Sequence, residues 1–108
     1  MTELQWNKAF ALEQTAGDEE LLEELLILFK ESSEADFQQL QDAAEKQDFN
    51  AMVSASHSIK GAAASLGITG ISSVAMAIEN AAREKKPEGM EEKIIQLGTL
   101  LTEFSGLV

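Results

Sequence analysis

Apolar residues return every three or four positions along most of this chain, and strand-like alternation is absent. That period marks amphipathic helices. A short first helix is predicted over Leu4–Ala16, with Trp6, Phe10 and Leu12 facing inward and Gly17 ending it. Asp18 then stands as an N-cap, followed by Glu19 and Glu20 in the first turn, where the helix dipole favours acids. The second helix runs from Glu19 to Lys46 on Leu22, Leu26, Phe29, Phe37, Leu40 and Ala44, with Ser32 and Ser33 as the place to bend or break it. Asp48 caps a third helix, Phe49–Leu66, which Gly67 closes. Thr69 is expected to cap a fourth, with Ile71, Val74, Ala75, Ile78 and Ala82 inside and Arg83, Lys85 and Lys86 at its C-terminal end. Pro87 stops that helix and opens the last one, on the stripe Met90, Ile94, Leu97, Leu101, Phe104 and Val108. Short connections make sequential helices neighbours. The predicted fold is therefore all-α: an up-and-down antiparallel four-helix bundle with a short extra N-terminal helix, residues 1–108 forming a single domain.

Composition narrows the function. A chain of 108 residues, 44% apolar and 25% charged, builds one ordinary globular core. It has no cysteine, which excludes disulfides and thiolate metal sites. No segment has the length and apolarity of a membrane span, and Met1–Phe10 lacks a signal-peptide core, so a cytoplasmic protein is expected. Nineteen acids against eight bases give a net charge of −11. That balance argues against nucleic acid and against anionic membrane surfaces as partners.

The acids are unevenly placed. From Phe49 to Ile78 there is no Asp or Glu, and Lys60 is the only formal charge. The single histidine, His57, lies inside this window. On a wheel at about 100° per residue, Phe49, Met52, Val53, Ile59, Ala63 and Leu66 form the core face of the third helix. His57 falls roughly 120° away, outside the core. Around it lie Asn50, Ser54, Ser58, Gly61, Ala64 and Ser65, all short. Gly61 in mid-helix costs about 0.8–1.0 kcal/mol against Ala, and removes a side chain that would shade the imidazole. Lys60, at i+3, lies on an adjoining part of the helix surface.

These residue types suit phosphoryl chemistry. Imidazole, with an ordinary pKa of about 6.5, is a nucleophile near neutral pH and can form a phosphoramidate. The transferred group is anionic, so a cation nearby and the absence of carboxylates both help. With no acid in its own helix to pair with, Lys60 is expected to contribute roughly 0.5 kcal/mol or less to stability. A lone histidine is usually an ordinary surface residue, and a small-residue face often marks close helix packing. It is the conjunction of His57, Lys60, Gly61 and a cleared face that points to chemistry.

His57-Ser58-Ile59-Lys60-Gly61, running on to Gly67, resembles the H-x-x-K-G-x-x-x-x-x-G signature of histidine phosphotransfer (HPt) domains. Gly17-Asp18-Glu19-Glu20-Leu21-Leu22 is similar to the family's G-D-x-x-L-L segment at the start of its second helix, and Ile78-Glu79-Asn80-Ala81-Ala82-Arg83 to its L-E-x-A-A-R segment. The resemblance spans about Leu4 to Phe104. It implies a monomeric carrier that accepts a phosphoryl group from one receiver-domain aspartate and passes it to another in a two-component phosphorelay. His57 matches the phosphorylated histidine, Lys60 the lysine that stabilises the phosphoryl group, and Gly61 the glycine that leaves room for it. The implied partners are response-regulator receiver domains and an upstream hybrid sensor kinase. No cofactor is expected on this chain; Mg²⁺ is expected on the receiver.

Helix geometry adds Glu79. Across a turn at Gly67–Ile68 the third and fourth helices are antiparallel, which sets His57 level with about residue 78. Glu79 is then either a hydrogen-bond acceptor that orients the imidazole or a solvated surface acid. Asn50, Ser54, Ser58, Ala64 and Ser65 are the expected partner-binding face. The alternative function is a non-catalytic helical interaction module using the same flat patch. An enzyme is disfavoured, because the chain has no nucleotide-binding loop and no nucleophile–base pair.

Overall fold

The computed structural model describes residues 3–108. Met1 and Thr2, at the head of the segment that lacks a signal-peptide core, lie outside them. Five helices follow in order: α1 Lys8–Gln14, α2 Glu19–Lys46, α3 Phe49–Ser65, α4 Thr69–Arg83 and α5 Met90–Leu107. α3 packs between α2 and α4, α4 against α5, and α5 against α2, which closes the four-helix ring. The 28 residues of α2 span about 42 Å at 1.5 Å per residue. This one helix therefore sets the 41 Å long axis of the molecule.

The helix starts are chemically marked. Asp18 Oδ1 accepts from the Leu21 N–H and Asp48 Oδ1 from the Ala51 N–H, both at 3.1 Å. Each satisfies one of the N–H groups that a helix start leaves unpaired. α2 is continuous through Ser32 and Ser33, so the chain does not break there. Their hydroxyls donate back to the Phe29 and Lys30 carbonyls, and Ser33 is buried among the core residues, so packing carries the helix through two weak helix formers.

The N-terminal segment departs from the sequence reading. Trp6 is not helical: it forms an isolated antiparallel bridge with Ile68, and its indole N–H donates to Leu66 O at 3.1 Å. Its ring meets Phe104 edge-on at 5.6 Å, and Phe29 also meets Phe104 edge-on at 5.2 Å. Ala11, not Phe10, is the buried residue of α1; Phe10 is partly exposed. Thr69 does not cap α4. It is the first helical residue, and the N–H groups of Thr69 and Gly70 are taken by the Gln5 and Leu4 carbonyls instead. The crossing is tight: a Cβ on Gly70 would collide with the Glu3 and Leu4 carbonyls. Gly67 has φ +71°, and a Cβ there would sit 2.6 Å from Asn7 O, so the α3–α4 turn requires glycine. Pro87 lies in the α4–α5 loop, and Gly89, not Pro87, is the N-cap of α5. In α5 the buried face is Met90, Ile94, Leu97, Leu100, Leu101 and Phe104, while Val108 is exposed.

Among the described residues no helix is long and apolar enough to cross a membrane, and no three His, Asp or Glu side chains cluster as a metal site.

Candidate functional site

α3 presents its apolar side, Met52, Ala55, Ile59 and Ala63, to the core, together with buried Ser56, whose hydroxyl donates to Met52 O at 2.7 Å. The opposite side carries His57 with 62% of its side chain exposed. Asn50, Ser54, Ser58, Gly61, Ala64 and Ser65 are all exposed on the same helix. A Cβ on Gly61 would meet nothing within 4 Å. Helix packing therefore gives no reason for a glycine at this position.

The tight turn at Gly67 sets α3 and α4 antiparallel and brings Glu79 under the imidazole. Oε2 of Glu79 is 3.1 Å from Nδ1 of His57. Glu79 is not a solvated surface acid: only 4% of its side chain is exposed. Arg83, one turn further along α4, donates to the same Oε2 through Nη2 at 2.6 Å and Nε at 3.2 Å. Lys60 Nζ lies 2.8 Å from the other oxygen, Oε1, as an ion pair.

Burial alone would raise the Glu79 carboxyl. The contacts of Lys60, Arg83 and His57, with the Lys60 charge, outweigh it and lower the carboxyl from 4.5 to about 2. Glu79 is thus ionised near neutral pH and can only accept hydrogen bonds. It follows that Nδ1 of His57 carries a proton, and in the neutral ring Nε2 holds the lone pair. One carboxylate faces one ammonium and one guanidinium, so the cluster keeps a surplus positive charge beside the imidazole.

Two features correct the sequence reading. Lys60 is not unpaired, because an acid from the neighbouring helix reaches it. Nor is the acid-free stretch of sequence an acid-free surface: besides Glu79, Asp36 of α2 accepts a 2.7 Å hydrogen bond from the Ser58 hydroxyl. Sequence reasoning gives Arg83 only the part of a dipole-complementing residue at a helix end. Its spacing of four from Glu79 is the signal for the pairing. Ser58 joins α3 to α2 immediately beside His57, while Asn50, Ser54, Ala64 and Ser65 line the exposed face without entering the ionic cluster.

The Hpt domain family model matches residues 24–106. Among solved structures, histidine-containing phosphotransfer protein B from Pseudomonas aeruginosa PAO1 superposes with a TM-score of 0.88 at 20% identity, covering 95% of this chain and 90% of that one. At that identity the likeness is one of fold. A search of curated proteins gave no match.

Proposed function

Starting from the fact that this chain belongs to the Hpt domain family, we propose that His57 is its phosphoryl acceptor, loaded from one receiver-domain aspartate and discharged to another. The observation that carries this reading is the exposed imidazole whose Nδ1 is tied to a buried, ionised Glu79. In the forward step the Nε2 lone pair attacks phosphorus. The N–P bond forms as the aspartyl O–P bond breaks, and that bond's electron pair returns to the donor carboxylate. The Nδ1 proton stays in place. The ring gains positive charge, which the Glu79 carboxylate offsets. Onward transfer is the same sequence in reverse.

Lys60 supplies positive charge to the transferring group, where positioning and electrostatics dominate. Gly61 leaves space above the ring. Asn50, Ser54, Ser58, Ala64 and Ser65 form the face on which a receiver domain sits, the partner's carboxylates holding the Mg²⁺. The carrier works as a cytoplasmic monomer, supplied by a hybrid sensor kinase through its receiver. The test is to mix it with a labelled, phosphorylated receiver domain and Mg²⁺. Label should move to this chain as an alkali-stable, acid-labile adduct. Binding without transfer would favour the interaction-module reading instead.

A further inference from the structure

The cations around Glu79 divide unequally between its two oxygens. Oε2 receives Nδ1 of His57 and two nitrogens of Arg83, whereas Oε1 meets Lys60 alone. Two guanidinium N–H groups converge on that one oxygen, which holds the planar guanidinium in place against it. An ammonium on a four-carbon stem is a point charge that can be redirected by rotation. The two cations are therefore suited to different tasks.

We infer that Arg83 is a positioning residue: it keeps Glu79 anchored and charge-matched, so that the Lys60 ammonium can leave Oε1 for a phosphoryl group on His57. This rests on the reading of His57 as the acceptor. Without Arg83, moving Lys60 would leave the buried Glu79 carboxylate with only the phosphorylated imidazole to balance it, which holds Lys60 back at Oε1. With Arg83 in place, Oε2 keeps its guanidinium and its imidazole N–H throughout, and only Oε1 changes partner. Arg83 is itself more than half exposed, so it can be replaced without opening the core.

The experiment measures loading rates from one phosphorylated receiver domain for wild type, Arg83→Gln, Arg83→Lys, Lys60→Ala and the double variant Arg83→Gln/Lys60→Ala. Urea denaturation is run on the same samples. Arg83→Gln should slow loading several-fold, and Arg83→Lys should recover part of the loss. In the Lys60→Ala background, removing Arg83 should slow loading no further, although stability falls again. Unchanged loading in Arg83→Gln would overturn the inference. So would losses that multiply in the double variant, because Arg83 would then act independently of Lys60. A wild-type chain that takes no label would overturn the His57 reading along with it.

Discussion

Nδ1 of His57 and Oε2 of Glu79 stand 3.1 Å apart across the α3–α4 seam, joining an exposed imidazole to a buried carboxylate. The exposed partner can meet another protein, while the buried one is shielded from solvent and held by two further cations. Orientation of the ring is thus set by a group that an incoming phosphoryl does not have to displace.

Glu79 should make the fold pH-dependent in a recognisable window. Its folded-state value near 2 lies below the ordinary 4.5, so the stabilisation is fully present above about pH 5 and drains away as pH falls towards 2. A carboxyl held that far below its ordinary value contributes about 3 kcal/mol at neutral pH. Urea denaturation of wild type and Glu79→Gln from pH 7 to pH 2 should show a wild-type advantage that shrinks in that window. A constant gap between the two curves would contradict the assignment.

Lys60→Ala should cost stability as well as transfer. The substitution leaves Glu79 Oε1 buried with no partner, a penalty of about 1 kcal/mol or more. The ceiling of roughly 0.5 kcal/mol expected from the sequence is too low, since it assumes no acid within reach. Chemical denaturation decides between the two values, and a change below that ceiling would mean solvent replaces the ammonium at Oε1.

Gly61→Arg should separate folding from transfer. A Cβ at this position meets open space, and Arg exceeds Gly in helix propensity by roughly 0.8 kcal/mol. The variant should be at least as stable as wild type while losing phosphotransfer, because the new side chain stands on the face of His57. Transfer at wild-type rate would place the partner's approach elsewhere.

Several parts of this arrangement are legible in the sequence, and for local reasons. Asp18 and Asp48 cap helices because their side chains reach N–H groups three residues on. Glu79 falls near His57 because the short turn through Gly67–Ile68 leaves antiparallel helices only one relative height. The same reasoning across the Gln47–Asp48 turn sets Ser58 level with about residue 37, so Asp36 is readable by that route. The acid-free window obscures it, since the composition of one helix says nothing of acids on its neighbours. Trp6 is not legible in this way. Its indole bonds to a carbonyl 60 residues away, and the Leu4–Asn7 strap over the α3–α4 turn exists only once both helices are packed.

The most direct test of the account is label transfer from a phosphorylated receiver domain to wild type and to His57→Gln, with circular dichroism to verify that both are folded. Wild type should acquire alkali-stable, acid-labile label in the presence of Mg²⁺ and the receiver, and none from ATP and Mg²⁺ alone. Folded His57→Gln should acquire none. Alkali-stable label on His57→Gln would contradict the account, because the acceptor would then be some other residue than the one histidine this chain contains.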